Sequence, residues 1–181
     1  MSGLTFFRFF LAATAFTCAN SASAQDIVNS AVTASNGVSV SIRTISRANR
    51  REIYSPMLET ESSDIYAGRI DIDGTAGALF LKGSAYYRGR AHVYDQATFV
   101  NGDLAVFKRG PVEVRGCIPG EPPDCLWSED FTVTVTSDEA APHVRDGMLE
   151  VELSGGPTLE KTRLSIPVEY IHAVFEVAEA R

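Results

Sequence analysis

Apolar and polar residues alternate along four stretches of the chain, and this pattern predicts β-strands with one buried face. The stretches lie at 38–43, 131–136, 149–153 and 164–170. In each of them the apolar side chains occupy every second position, which places them together on one side of an extended strand. Pro167 falls within the last stretch. Because proline donates no backbone hydrogen bond, we expect that strand at a sheet edge or a bulge.

Short turn signals separate the predicted strands. Dipeptides of Asn or Asp followed by Gly favour the type I′ turns that close β-hairpins. They predict one hairpin over 97–107 and a second that joins 65–72 to 76–81. The four dipeptides are Asn36-Gly37, Asp73-Gly74, Asn101-Gly102 and Asp146-Gly147.

Short strands with frequent turns predict an all-β fold, namely a single antiparallel β-sandwich of the immunoglobulin-like or jelly-roll type. Helix signals are confined to a short turn near 46–53 and to 172–180. In the latter segment, alternation of Ile171, Ala173, Phe175 and Val177 favours a final strand instead.

The first 24 residues have the features of a secretory signal peptide. Arg8 precedes an apolar stretch at 9–16, and small residues end at Ala22-Ser23-Ala24, which fits the cleavage rule of signal peptidase. The apolar stretch is too short for a membrane-spanning anchor. We therefore expect cleavage after Ala24, a single domain over 25–181 without a transmembrane segment, and a location in the periplasm or outside the cell.

Composition and charge narrow the class of protein. The chain has 181 residues, of which 45% are hydrophobic and 22% charged, with a mean hydropathy of zero. These values are typical of a folded domain and not of a disordered chain. The net charge of −7 and the pI near 5.0 argue against nucleic acid as a partner, because phosphate binding needs a concentrated positive field.

Two cysteines remain once the predicted leader is removed. Cys117 and Cys125 flank a segment rich in Pro and Gly, and in an exported protein such a pair predicts one disulfide that closes a loop between two strands. The alternative is a thiol–disulfide exchange pair. The spacing differs from the C-x-x-C of common redox motifs, which favours the structural role.

One part of the chain combines Tyr86–Gly89 and Val93-Tyr94 with the later segment Val112–Cys117. This part resembles the immunoglobulin-like N-terminal domain of DsbD-type periplasmic thiol reductases. In that family an aromatic–Gly strand precedes a Val-rich strand that ends in a redox cysteine hairpin. The resemblance implies an immunoglobulin-like fold and a redox role for Cys117 and Cys125. In this chain the cysteine spacing is longer and the prolines lie inside the loop.

The other chemical motifs in the sequence give little support for a catalytic or metal-binding function. Asp71-Ile72-Asp73-Gly74-Thr75 matches the letters of haloacid-dehalogenase phosphatases, but that chemistry needs a parallel α/β sheet, and hairpin signals flank the motif here. The three histidines lack metal-ligand spacing. No pattern indicates a cofactor or a metal ion. A glycosidase-like carboxylate pair among Glu113, Asp124, Glu129 and Asp130 stays open.

Two groups of residues are candidates for a binding surface. A cluster of four arginines in an acidic chain suits an anionic glycan, a lipid headgroup or an acidic partner protein, although a solvated loop explains it as well. A group of tyrosines with one arginine suits protein or sugar contacts, although Tyr86 and Tyr94 also fit core packing. The residues are Arg43, Arg47, Arg50 and Arg51 in the first group, and Tyr86, Tyr87, Arg88 and Tyr94 in the second.

These observations favour a secreted or periplasmic, non-catalytic β-sandwich that binds or scaffolds another component of the cell envelope, whether protein, glycan or lipid headgroup. The alternative is an envelope enzyme that exchanges thiols and disulfides through Cys117 and Cys125.

Overall fold

The computed structural model describes residues 26–120, 124–136, 141–155 and 160–180. The predicted signal peptide, its cleavage site and Gln25 lie outside the described residues, as does the central part of the loop between the two cysteines.

Twelve strands and one α-helix form the described part of the chain. The helix, α1, covers Val168–Glu179 and directly follows the last strand. The strands are β1 (Ile27–Thr33), β2 (Ser39–Ile45), β3 (Arg50–Tyr54), β4 (Leu58–Glu59), β5 (Ser63–Ile72), β6 (Leu79–Gly89), β7 (Gln96–Phe99), β8 (Leu104–Ile118), β9 (Asp124–Val135), β10 (Val144–Arg145), β11 (Met148–Ser154) and β12 (Thr162–Pro167).

All strand pairings in the described residues are antiparallel. Their order is β1-β2-β3-β5-β6-β9-β8-β7-β11-β10, with β12 paired to β11 and β4 paired to β5. The predicted all-β, antiparallel class is therefore confirmed, while the sandwich arrangement stays a prediction. β12 has one partner strand and ends at Pro167, as expected for a proline at a sheet edge.

Alternating positions of the central strands supply the hydrophobic core. Phe131, Val133 and Val135 of β9 are buried, and the threonines between them are half-exposed. The same alternation buries every second residue of β11. We call the buried side of β2, β3, β5, β6, β8 and β9 the core face and the opposite side the open face. The two-residue period predicted these strands correctly because each has one face in the core.

The helix covers the core face, and the predicted final strand over 171–177 is wrong. The buried residues of α1 recur at helical spacing, namely Ile171, Ala173, Val174, Val177 and Ala178. α1 packs against β2, β3, β5 and β12. A single apolar stripe on a helix buries this segment against four strands at once, which a further edge strand would not achieve.

Two of the four predicted turns have the type I′ geometry. Asp73 and Gly74 both have positive φ angles, of 52° and 73°, and so do Asp146 and Gly147. At Asn36-Gly37 and Asn101-Gly102 only the glycine has a positive φ, and three residues form the turn. The type I′ prediction is wrong at these two sites, yet the hairpin between β7 and β8 forms as predicted.

A long ribbon made by β8 and β9 ends in the cysteine pair. Cys117 and Cys125 lie opposite each other on the two strands and form a disulfide, as predicted. Two shifts in register interrupt the pairing, between Arg109 and Val112 and between Val114 and Gly116. Within the described residues, no helix is both long and apolar enough to cross a membrane.

Candidate functional site

A hollow on the described surface lies beside the end of α1, and two of the predicted arginines line it. It has a volume of about 570 Å³, within the range typical of small-ligand sites. We call it the arginine hollow. Its lining includes Thr44, Asn49, Arg50, Arg51, Asp71 and Ala180.

Register explains why these residues meet. Thr44, Arg51 and Asp71 pair across β2, β3 and β5 and therefore share the core face. These three paired residues lie near the turn at Asp73-Gly74, and α1 ends beside them. Hydroxyl, amide and guanidinium groups thus surround a space that is open to solvent.

Arg51 holds the end of the helix against the sheet. Its Nη2 donates a hydrogen bond to the carbonyl oxygen of Val177 at 2.9 Å, and its Nη1 donates to that of Ala178 at 3.3 Å. The last carbonyls of a helix have no partner within the helix and carry partial negative charge. The guanidinium of Arg51 donates hydrogen bonds to two of these carbonyls, and its positive charge lies beside their partial negative charge.

A second arginine, which is buried, reinforces the same corner. Arg69 of β5 lies 2.8 Å from Asp71 and 3.0 Å from Glu179 of α1. Burial favours a lower pKa for Arg69, but its hydrogen bonds to Glu179 and Asp71 outweigh burial, so the pKa is raised overall. Asp71 also accepts the backbone N–H of Gly77. This carboxylate therefore has a structural role at the end of β5.

The other two predicted arginines of β2 and β3 lie on the open face around one buried carboxylate. Glu52 is only 4% exposed. Its oxygens lie 2.6 Å from Nε of Arg50 and 3.8 Å from Nη1 of Arg43. Arg47 is exposed in the 3-10 turn over Ser46–Ala48. Arg50 is the first residue of β3 and also lines the arginine hollow, although its Nε is directed to Glu52 on the open face. Arg51 lines the hollow from the core face, and Arg43 lies on the open face.

Two of the predicted tyrosines belong to a buried network at the opposite end of the sheet. Glu129, 1% exposed, accepts a hydrogen bond from the hydroxyl of Tyr87 at 2.8 Å and from the backbone N–H of Tyr94 at 2.7 Å. It also accepts the N–H of Val93 at 3.2 Å. Three donors around a buried carboxylate replace the water that it loses on folding.

His92 joins this network to the segment before β12. Its ring is stacked on Tyr87 with 3.7 Å between centroids, Nδ1 lies 2.7 Å from the hydroxyl of Tyr94, and Nε2 lies 2.5 Å from Glu160. The Tyr94 hydroxyl also bonds Thr162. Burial raises the pKa of Tyr94 to about 12. Burial is also the largest cause of a raised pKa at Tyr87.

Tyr86 and Arg88 lie near this network but outside it. The Tyr86 hydroxyl donates to Asp64 at 2.6 Å on the open face, and that bond is the main cause of a raised pKa at Tyr86. Arg88 is exposed and lies 3.4 Å from Asp124. Tyr94 is fully buried and does not reach the surface.

The structure does not bring the arginine group and the tyrosine group into one cleft. Arg50 pairs with Ile72 at one end of β5, whereas Ser63 at the other end pairs with Ala85, next to Tyr86. Nine residues of extended strand separate the two ends, which corresponds to roughly 30 Å. The two groups therefore belong to separate places on the molecule.

A smaller hollow lies against the disulfide. Its volume is about 250 Å³, and its lining includes Arg88, Arg115, Cys117 and Ile118. Cys117 is exposed, while Cys125 is 8% exposed. Arg115 lies 3.7 Å from Glu113. The side of the bridge formed by Cys117 is thus open to solvent beside two guanidinium groups.

Sequence reasoning missed the groups that depend on strand register. Glu129 and Asp130 are neighbours in the chain but point to opposite faces of β9, so they do not form a carboxylate pair. The contacts of Arg69 with Glu179 and of His92 with Glu160 left no signal in the sequence, because the paired residues are 110 and 68 positions apart. No cluster of three or more His, Cys, Asp or Glu side chains suited to a metal ion occurs in the described ranges.

Comparisons with protein-family models, with curated proteins and with solved structures found no match.

Proposed function

We propose that the protein is an exported, non-catalytic β-domain that binds the anionic part of another envelope component in the arginine hollow. Residues 1–24 act as a cleaved signal peptide in this proposal, and the domain over 25–181, with a sandwich arrangement of its strands, works in the periplasm or outside the cell. The observation that carries the proposal is a hollow of about 570 Å³ lined by Arg50 and Arg51 in an acidic chain.

The two arginines have different parts in this site. Both terminal nitrogens of Arg51 already donate to helix carbonyls, which fixes the guanidinium at the wall of the hollow. Arg50 lies against Glu52 through Nε, and its side chain is 37% exposed. A guanidinium presents several donors in one plane and suits carboxylate, phosphate or sulfate oxygens. Arg50 is therefore the direct contact in this proposal, reaching the hollow from the start of β3, and Arg51 orients the wall on the core face.

Neighbouring polar side chains extend the recognition surface. The hydroxyls of Thr44 and Ser46 and the amide of Asn49 also line the hollow. Asn49 donates to Asp73 at 3.1 Å, which positions the turn that closes one side. Hydroxyl and amide donors complement an anion that carries further oxygens, as a phosphate or sulfate ester does.

Binding of inorganic sulfate, measured by calorimetry at low and moderate salt, tests the site. Arg50→Ala should weaken it roughly tenfold, because a hydrogen bond to a charged group is lost. Arg145→Ala is the matched control, since it removes one exposed cation from β10. Ser46→Ala is a milder second variant in case Arg50→Ala unfolds through Glu52. Unchanged affinity in both hollow variants, or equal weakening in the control, would refute the site.

The source of the anion is distinguished by three competitors. Phosphatidylglycerol vesicles test a lipid headgroup, dextran sulfate tests an anionic glycan, and an acidic peptide tests a partner protein. The envelope component belongs to the class of the competitor that displaces sulfate and that binds Arg50→Ala more weakly than it binds the wild type. Competition by none of them would restrict the site to small anions and overturn the envelope-binding role.

A second candidate function follows from exposure of the disulfide. A small-molecule thiolate would attack Sγ of Cys117, form a mixed disulfide and release the thiolate of Cys125. The hollow beside Cys117, with Arg88 and Arg115, gives access to a thiol that carries carboxylates. The reduction potential decides between the roles: a value near −200 mV supports exchange, and one below about −300 mV identifies a structural bridge.

A further inference from the structure

One row of side chains crosses four neighbouring strands on the open face. Tyr66 of β5 pairs with Lys82 of β6, Lys82 with Thr132 of β9, and Thr132 with Lys108 of β8. Side chains at paired positions point to the same face. Since adjacent strands lie about 4.8 Å apart, the Cα atoms of the two lysines are roughly 10 Å apart, on either side of Thr132.

The cations on and beside this row outnumber the acidic side chains around them. Lys82, Lys108 and Arg109 have no ion-pair partner among the described residues, whereas Arg50, Arg69, Arg88 and Lys161 each have one. A hollow of about 190 Å³ is lined by all three cations, by Thr132 and by Asp130, so three positive charges face one carboxylate there. Like charges held close together favour a bound anion that neutralises them.

Aromatic rings lie beside Lys82. Tyr66 makes edge-to-face contacts with Tyr54 and Phe80, with centroids 5.5 and 6.5 Å apart. Gly68 makes room for them, because a Cβ atom there would lie 2.7 Å from the ring of Phe80 and 2.9 Å from that of Tyr54. The three rings are half-exposed. They form a platform of apolar surface with the polar groups of the row at its side.

A hydroxyl-binding group completes this surface. Asp130 lies two residues before Thr132 on the same face of β9. One of its oxygens accepts a hydrogen bond from the hydroxyl of Ser84 at 2.7 Å. A carboxylate has further acceptor positions, so Asp130 can also accept a hydroxyl from a ligand. Cations, an aromatic platform and a hydroxyl acceptor thus occur together on the open face.

We propose that this face binds a polysaccharide that carries carboxylates, with uronic acid groups on Lys82 and Lys108 and sugar rings on the aromatic platform. The apolar C–H faces of a sugar ring pack on aromatic rings, while its hydroxyls reach Thr132 and Asp130. The two lysines are separated by about two strand spacings, a distance comparable to a disaccharide, so they suit charges that repeat along a chain. This surface is separate from the arginine hollow and does not depend on it.

Calorimetry with oligogalacturonate tests the proposal, with maltooligosaccharide as the neutral probe and free galacturonate as the single-charge probe. The double variant Lys82→Ala/Lys108→Ala should weaken oligogalacturonate binding at least roughly tenfold through loss of two charge contacts. Arg145→Ala/Lys161→Ala removes the same charge from β10 and the segment before β12 and should retain the affinity. Ser46→Ala, in the arginine hollow, should retain it too, which separates this site from the hollow.

A further variant tests the aromatic platform. Phe80→Leu keeps an apolar side chain but removes the ring, and it should weaken oligogalacturonate binding roughly threefold through lost stacking. Four results would overturn the proposal: no binding of oligogalacturonate, equal binding of maltooligosaccharide, equal affinity for free galacturonate, or equal weakening in the charge-matched control. Thr132→Val, which keeps the shape of the side chain, gives an independent loss of affinity if the lysine variant does not fold.

Discussion

Arg51 in the third strand donates a hydrogen bond of 2.9 Å to the carbonyl oxygen of Val177 in the last turn of α1. This contact joins residues 126 positions apart in the chain. It makes one arginine responsible both for the position of the helix and for a wall of the arginine hollow.

Arg51→Leu should lower the free energy of unfolding by about 2 kcal/mol, because a charged hydrogen bond and a favourable interaction with the helix dipole are lost together. Urea denaturation followed by circular dichroism measures the change. Arg145→Leu, an exposed cation of β10, serves as the control and should change stability by less than about 0.5 kcal/mol. Equal effects of the two substitutions would show that Arg51 does not hold the helix.

Alkaline pH should destabilise the protein through Tyr94. Its folded-state pKa is raised by burial to about 12, above the ordinary value of 10.0. A raised pKa means that the folded state favours the neutral phenol, so this stabilisation is complete below pH 10 and is lost as the pH rises towards 12. Tyr94→Phe should flatten the fall in stability between these values. Unfolding curves of wild type, Tyr94→Phe and Tyr170→Phe measure it, and a slope unchanged in Tyr94→Phe contradicts the assignment.

Val93 is strained, and its replacement by glycine should cost unusually little. This β-branched residue has a φ of 56°, and its N–H donates to Glu129. The left-handed conformation costs a residue with a Cβ atom about 1–2 kcal/mol, which glycine avoids. Val93→Gly should therefore be about 1–2 kcal/mol less destabilising than Val112→Gly, where a valine that is also half-buried lies in β8. Thermal unfolding of both variants tests the difference, and equal losses would show that Val93 bears no strain.

The disulfide should stabilise the fold even if it also reacts with thiols. Cys117 and Cys125 are eight positions apart, and closing so short a loop contributes about 2–3 kcal/mol in the chain-entropy model. Cys117→Ser/Cys125→Ser should lower stability by this amount. Amide hydrogen exchange should rise most at the cysteine end of β8 and β9. Faster exchange spread evenly over the whole sheet would contradict a local role.

The sequence predicted strands wherever one face meets the core and the other meets solvent. Phe131, Val133 and Val135 are an example, because their two-residue period is a direct consequence of burial on one side. Asp73 and Asp146 also gave correct turns, since each precedes a glycine and both residues adopt the left-handed conformation.

The segment of α1 was ambiguous for a physical reason. Alternate residues from Ile171 to Val177 are apolar, which fits a strand, but Val174 and Ala178 complete a stripe that fits a helix equally well. Local pattern does not decide between them. The choice depends on the uncovered core face of β2, β3 and β5, which only the assembled sheet provides.

The candidate sites depended even more on strand register. The arginine cluster was visible in the sequence, but its division between the hollow and the open face follows from the pairing of β2, β3 and β5. Lys82 and Lys108 are 26 positions apart and gave no signal of their own. Thr132, half-exposed between them, makes them neighbours.

The position of α1 also determines when the core can close during folding. Val40 and Ile53 belong to strands near the start of the domain, yet they share a core with Ile171 and Val174 of the helix. A growing chain therefore leaves the core face of its first strands uncovered until residues 168–179 have emerged. Contacts between such distant segments slow folding and prolong exposure of apolar surface. Folding should thus be completed as one late event, and a chaperone that protects this face would act before the helix docks.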